Sequence, residues 1–185
     1  MVKARVGASL LTLALVVTTS MSTQPALAAS AAEINRDVDA ALVKLYADIA
    51  DARTLAERAK GILVFPGVVK AGFLFGAQYG DGALRRQGKT VAYYNTVAAS
   101  YGLQAGVQTF GYVMFFMSDA ALRYLDKSDG FEIGVGPSIV VLDAGKAKTL
   151  TTTTAQSDVY AFIFDQKGLM AGLGLQGSKI SRLEK

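Results

Sequence analysis

The residue types best suited to catalysis near neutral pH are missing from this chain. The sequence has neither histidine nor cysteine, which excludes Cys or His nucleophile–base pairs and the usual zinc sites. The acidic residues are scattered over predicted helix surfaces and turns, and no two have a spacing typical of a paired catalytic site. Residues 126–132 superficially resemble a calcium loop but lack its alternating ligands and its final glutamate. We therefore predict no catalytic residue, no metal site, no cofactor and no enzymatic activity.

Local clusters of basic residues favour binding rather than catalysis. Between Arg53 and Lys70 four basic residues face a single acid, Glu57, and three more basic residues follow between Arg85 and Lys89. Each such charge near an acidic membrane surface contributes about 1 kcal/mol. The alternative is a solvated face that keeps the protein soluble. If these residues form one site for an anionic lipid headgroup, its candidates are Lys60, Lys70, Arg58, Arg85 and Lys89.

The first 28 residues have the three parts of a secretory signal peptide. Lys3 and Arg5 form a basic start, residues 10–17 are apolar, and residues 25–28 offer a small-residue cleavage site. The apolar run is shorter than the roughly 20 residues that cross a bilayer. We predict a signal peptide at 1–28 and one domain at 29–185, exported to the periplasm or secreted; the alternative is an N-terminal anchor that is retained. Since no cysteine is available for lipidation, we do not expect a lipoprotein.

Removal of this segment lowers the formal net charge from +4 to +2. A charge this small gives little general attraction to polyanions. We therefore expect no nucleic-acid partner.

Two helices are predicted at the start of the domain. Ser30 and Glu33 have the spacing of a capping box, and one apolar stripe follows at spacings of three and four: Ile34, Val38, Leu42, Leu45 and Ile49. Between Ser30 and Asp51 five acids outnumber two bases, whereas interfacial helices usually carry lysine-rich polar faces. We expect this helix to pack on a sheet rather than lie on a bilayer. A shorter second helix ends near Gly61.

Short strands are predicted after Gly61. Residues 62–65 and 68–69 form two apolar blocks separated by Pro66-Gly67. The period then becomes two, with Phe73, Phe75, Ala77 and Tyr79 on one face and Gly76 and Gln78 on the other. Asp81-Gly82 is a strong hairpin signal, and further strands are expected at 84–87, 90–98, 103–109 and 112–117. A helix is predicted at 120–125 and a last helical turn at 179–182.

Glycine inside so many strands requires a physical reason, and tight coiling of the sheet or close backbone packing is the simplest. The predicted fold class is α+β. We expect a curled antiparallel sheet or barrel-like core, with the N-terminal helices packed on it and one short mid-chain helix. Seven aromatic residues are predicted to fill this core: Tyr93, Tyr94, Tyr101, Phe110, Tyr112, Phe115 and Phe116. The alternative is that an exposed subset of these seven forms a lipid-contacting patch.

Several motifs resemble those of the SYLF family, also called the Ysc84 actin-binding domain, over residues 42–183. They are Ala59-Lys60-x4-Phe65, Val69-Lys70-Ala71-Gly72-Phe73, Gly102-x-Gln104-x-Gly106, Gly134-x-Gly136-Pro137 and Lys167-Gly168-Leu169-x2-Gly172. The resemblance implies a phosphoinositide-binding module, some relatives of which also bind actin. It leads us to expect an exported bacterial member.

Together these observations predict a non-enzymatic module of the cell envelope that binds an anionic lipid headgroup or a membrane surface. The alternative is a protein-interaction or structural envelope protein without a lipid ligand. We do not expect actin to be a partner of an exported protein unless that protein is delivered to a host cell.

Overall fold

The computed structural model describes residues 29–127, 131–132, 136–143, 157–168 and 178–185. The predicted signal peptide lies outside these residues. So do the threonine-rich residues 148–156, for which the sequence predicts an edge strand or a mobile loop, and residues 169–175, for which it predicts the second strand of a closing hairpin. The described elements are α1 (Ala31–Asp48), α2 (Ala50–Arg58), β1 (Gly61–Arg86), β2 (Lys89–Phe116), α3 (Asp119–Lys127), β3 (Phe131–Glu132), β4 (Ile139–Asp143), β5 (Val159–Gly168) and β6 (Lys179–Leu183).

One long antiparallel hairpin, β1 and β2, dominates the structure. Its register runs from Gly61 opposite Phe116 to Arg86 opposite Lys89. The turn lies at Gln87-Gly88, where both residues have positive φ, 49° and 75°, as a two-residue type I′ turn requires. The predicted turn at Asp81-Gly82 is wrong, because both residues lie inside β1, opposite Asn95 and Tyr94.

Strand β1 folds back on itself near its middle, and glycines make the close approach possible. A Cβ atom at Gly80 would lie 3.0 Å from Val68 Cγ2, and one at Gly82 would clash with the Val64 carbonyl oxygen. Closer to the point where β1 reverses direction, Gly72 lies directly against Gly76. These contacts confirm that the glycines inside the strands serve close backbone packing.

The rest of the sheet forms along the other side of β2. Strand β6 pairs with residues 93–97 of β2, β5 pairs with residues 108–116, and β3 extends the sheet beyond β6. The α+β class and the curled sheet are confirmed, with one correction to the antiparallel prediction: β4 and β5 are parallel. The chain between them exceeds a dozen residues, which is long enough for the crossover that a parallel pair needs.

The predicted helical turn at 179–182 is wrong as well. Lys179–Leu183 is strand β6, and its side chains do not follow a helical face, since Ile180 is buried between exposed Lys179 and half-buried Ser181. The segment is a strand because it pairs with residues 93–97 of β2, on the edge of β2 that does not pair with β1.

The sheet separates two apolar clusters through the alternation of its strands. Inside the fold, residues such as Phe65, Tyr112 and Met114 pack together, and α3 covers them with Ala121, Leu122 and Leu125. On the outer face, α1 and α2 cover a second cluster that includes Val64, Val113, Phe115, Tyr160 and Phe162.

Helix α1 forms as its sequence predicts. The Glu33 N–H donates to Ser30 Oγ at 3.3 Å, and the Ser30 N–H donates to Glu33 Oε2 at 2.8 Å, which completes the capping box. Four stripe residues, Ile34, Val38, Leu45 and Ile49, are buried, and Leu42 is partly buried against the same cluster. The prediction that α1 packs on the sheet is confirmed. None of the helices in the described ranges has the length and apolar character needed to cross a membrane.

Candidate functional site: an exposed apolar bend

The outer face of the folded hairpin exposes an apolar surface. Phe73 is 74 % exposed and Phe75 is 70 % exposed, far more than such side chains usually are. Register places them within one continuous surface, because Tyr79 lies opposite Val97 and Ala71 lies opposite Val107. We call this surface the apolar bend, and it consists of Val69, Phe73, Phe75, Tyr79, Val97 and Val107.

Strand alternation and the glycines explain why the aromatic side chains face outwards. Phe73, Phe75 and Tyr79 share one face of β1, as the sequence predicts, while Gln78 and Gly80 on the other face are buried. The two halves of β1 approach so closely that a Cβ atom would be tight against Val68 at Gly80 and would clash with the Val64 carbonyl oxygen at Gly82. The larger side chains are therefore left on the convex side.

Apart from Val69, which directly precedes Lys70, the apolar bend lies in stretches of sequence without formal charge. No Asp, Glu, Lys or Arg occurs from Ala71 to Gly80 or from Thr90 to Ser118. Large exposed apolar surfaces of this kind typically mark contacts with a membrane or another protein. Desolvating the bend would cost little, because no charged side chain of these segments has to leave water.

The structure does not gather the five predicted headgroup residues into one site. Arg58, Lys60 and Lys89 are exposed, whereas Lys70 is buried on the inner face of β1. Lys60 immediately precedes β1, and ten residues of extended chain reach about 33 Å, so Lys60 and Lys70 lie at different levels of the hairpin. Lys60 lies at the end where Gly61 contacts Leu84, away from the apolar bend.

Arg85 is engaged in holding α1 against the hairpin. Its Nη2 donates to Asp39 Oδ1 at 2.6 Å and to the Asn35 carbonyl at 3.2 Å, and its Nη1 donates to the Gly88 carbonyl at 3.4 Å. The Arg85 side chain is only 13 % exposed. These contacts assign Arg85 a structural position that the sequence alone did not suggest.

Most aromatic residues predicted to fill the core do so. Tyr94, Phe110, Tyr112, Phe115 and Phe116 are buried, and Tyr93 packs against the outer cluster while partly exposed. The Tyr101 side chain lies outside the described residues. Burial raises the pKa of Tyr112 well above its ordinary value, and burial together with the hydrogen bond to Asp126 raises that of Tyr94.

A cleft of about 670 Å³ lies between α1 and the hairpin, beside Val69 and Tyr79 of the apolar bend. Its polar side chains are mostly acidic, and they are paired. The Lys44 ammonium holds the pKa of the Asp165 carboxyl below its usual range, aided by Lys167. Tyr79 donates to Asp81 Oδ1 at 2.6 Å, and this hydrogen bond is the main cause that raises the pKa of Tyr79 to about 12. An acidic cleft of this kind does not suit an anionic headgroup.

The inner face beside the bend carries buried polar side chains with unmet hydrogen bonds. Gln78, Thr96 and Gln108 are buried, and Gln78 Nε2, Thr96 Oγ1 and Gln108 Oε1 have no partner. An unsatisfied buried polar group costs about 1–3 kcal/mol, so the cluster is unusual. In the described part of the chain, no group of three or more carboxylates is placed to hold a metal ion.

Comparison with known proteins agrees with the motif pattern. A family model described as Ysc84, "Las17-binding protein actin regulator", matches residues 97–185, from within β2 to the last residue. The chain belongs to the Ysc84 (SYLF) family. It is also 30 % identical over 132 residues to Protein YSC84 of Saccharomyces cerevisiae, across 67 % of this chain.

The chain spans only 28 % of the length of that yeast protein. Membership of the Ysc84 family supports a binding module. The motifs at residues 102–106, 134–137 and 167–172 fall within the matched range. Two residues of the apolar bend, Val97 and Val107, also lie within that range.

Proposed function

We propose that this Ysc84-family chain is an exported, non-enzymatic module of the cell envelope that binds lipid, and that it contacts the bilayer with the apolar bend. The observation that carries the proposal is the exposure of Phe73 and Phe75 on a strand segment without formal charge. Phenylalanine combines a large apolar area with few rotatable bonds, and tyrosine, which the bend contributes at Tyr79, is enriched at membrane interfaces.

The expected strength follows from the area that enters the bilayer. Burial of a phenylalanine side chain contributes about 1.5–3 kcal/mol, so two give about 3–6 kcal/mol, or roughly a hundredfold or more in affinity. The exposed bases Arg58, Lys60 and Lys89 would add about 1 kcal/mol each near anionic lipid. Since Lys60 lies away from the apolar bend, we expect the aromatic contribution to dominate and the salt dependence to be weak.

Co-sedimentation with vesicles tests the proposal. The variant Phe73→Ser/Phe75→Ser should lower binding to phosphatidylcholine and phosphatidylglycerol vesicles by roughly a hundredfold. Val43→Ser is the matched control, because Val43 is 72 % exposed on α1. Lys60→Ala/Lys89→Ala should weaken binding to the anionic vesicles only, and by clearly less than the roughly thirtyfold that two charges at the membrane surface would contribute, because Lys60 lies away from the apolar bend. Unchanged binding of the double serine variant would refute the proposal.

A protein partner is the second candidate, because the family description names binding to another protein. A partner would cover the same apolar bend through an interface of roughly 800 Å² per side. A pull-down from envelope extract that is lost in Phe73→Ser/Phe75→Ser, together with no vesicle binding by the unaltered chain, would favour this candidate.

A further inference from the structure

The cleft between α1 and the hairpin has the form of a small-molecule site. Its volume is about 670 Å³, and Ile34, Val69 and Phe164 are among the apolar residues that line it. Gly67 also lines the cleft, and a Cβ atom there would meet no heavy atom within 4 Å. Binding sites for small molecules are typically concave, mostly apolar and roughly 300–1,000 Å³ in volume, with a few polar groups that fix the ligand.

Asp81 is the buried polar residue of this cleft. Its side chain is only 10 % exposed, and its Oδ1 accepts a hydrogen bond from the Tyr79 hydroxyl at 2.6 Å. Asp81 Oδ2 lies 3.9 Å from Lys185 Nζ, which is longer than a hydrogen bond. The Lys185 ammonium donates instead to the Ala29 carbonyl at 2.5 Å. A cationic ligand could therefore approach Asp81 Oδ2 more closely than Lys185 does and form a charge-assisted hydrogen bond.

The other charged groups of the cleft leave this role to a cation. Asp165 is neutralised by Lys44 and Lys167, one at each carboxylate oxygen. Asp37 is half exposed and pairs with Arg36, which is more exposed still. Surface ion pairs of this kind contribute little, so the Asp37 carboxylate stays available to attract a cation at the open side of the cleft.

We propose that the cleft binds an organic amine that carries an apolar chain, with the ammonium group at Asp81 and the chain along Val69 and Phe164. A primary ammonium has three N–H donors, and each methylene that the apolar lining covers contributes roughly fourfold in affinity. The site is separate from the membrane contact proposed above, because neither Phe73 nor Phe75 lines the cleft.

Isothermal titration calorimetry with octylammonium tests the site in the absence of vesicles. Binding should saturate at one ligand per chain. Hexylammonium, which has two fewer methylenes, should bind about tenfold more weakly. Octanol and octanoate have the same chain without the positive charge, and each should bind at least tenfold more weakly than octylammonium. Octanol that binds as tightly would overturn the role of Asp81, and octylammonium that does not saturate would overturn the site.

Four variants locate the ligand. Asp81→Asn should weaken octylammonium binding about tenfold or more, whereas Lys185→Met should tighten it by removing the competing cation. Gly67→Leu should block the cleft and abolish binding. Glu57→Gln is the matched control, because Glu57 is an exposed acid on α2, and it should leave binding unchanged. If circular dichroism shows that Asp81→Asn does not fold, Lys185→Met and Gly67→Leu decide the test. Equal affinity in all folded variants would overturn the site.

The amine site and the membrane contact can fail separately. Phe73→Ser/Phe75→Ser should bind octylammonium as the unaltered chain does while failing to bind vesicles. Loss of octylammonium binding in this double variant would place the amine on the apolar bend and overturn its assignment to the cleft.

Discussion

The close approach of the two halves of β1 predicts that two glycine-to-alanine substitutions differ strongly in their effect on stability. At Gly82, a Cβ atom would clash with the Val64 carbonyl oxygen and lie 2.6 Å from Phe65 Cδ1. The carbonyl belongs to a buried strand and cannot move without disturbing the ladder with Val113. At Gly67, a Cβ atom would meet no heavy atom within 4 Å. Gly67→Ala is therefore the matched control.

Overpacking of this kind costs about 1–3 kcal/mol, and the upper part of that range applies because backbone is involved. Gly67→Ala should be neutral or stabilise by up to about 1 kcal/mol, since it reduces the freedom of the unfolded chain. Urea denaturation followed by circular dichroism gives both free energies of unfolding. Equal stability of the two variants would show that the two halves of β1 do not lie in contact at Gly82 and Val64.

Two further predictions concern polar groups. Tyr112→Phe should leave the free energy of unfolding unchanged or raise it, because the buried Tyr112 hydroxyl has no hydrogen-bond partner. Tyr94→Phe should lower the free energy of unfolding by about 1 kcal/mol, because it removes the 2.9 Å hydrogen bond to Asp126. Equal effects of the two substitutions in thermal unfolding would contradict this prediction. Hydrogen bonds from Ser138, and to a smaller extent from Ser118, hold the pKa of Asp158 below its usual 3.8. These bonds therefore stabilise the folded protein above about pH 4, and the stabilisation is lost as the pH falls through the lowered pKa. Ser138→Ala should therefore destabilise more at pH 7 than at pH 2.5 in urea denaturation, and an equal loss at both would refute this assignment.

Local signals in the sequence predict the helices well. Ser30 and Glu33 specify the start of α1, and the apolar stripe specifies its buried face, because both depend on residues only three or four positions apart. Ser118-Asp119 likewise places the start of α3. The class of the fold also follows from the alternating strands and their glycines.

The extent of the strands could not be predicted in the same way. Asp81-Gly82 has the composition of a turn, yet Gln87-Gly88 forms the turn, because pairing of β1 with β2 continues through Gly82. Period two shows that Phe73 and Gln78 occupy opposite faces, but it does not show which face is buried. That choice depends on the contact between Gly80 and Val68, which are distant in sequence.

The sequence predicts the candidate site only in part, because the contacts that build it also join distant residues. Lys60 and Lys70 are near in sequence, but one precedes β1 and is exposed while the other is buried within it. Arg85 reaches Asp39 on α1, a contact across 46 positions that no local pattern reveals. Exposure of Phe73 and Phe75 follows only when the fold of β1 is known.

The most direct test of the apolar bend uses tryptophan fluorescence, since the sequence contains no tryptophan. Phe73→Trp places a single reporter at the bend, and Val43→Trp places one on α1 at nearly equal exposure. On addition of vesicles, emission from Phe73→Trp should shift to the blue and be quenched by brominated acyl chains, while emission from Val43→Trp should not change. Co-sedimentation of Phe73→Trp with vesicles without any shift or quenching would contradict insertion of the bend.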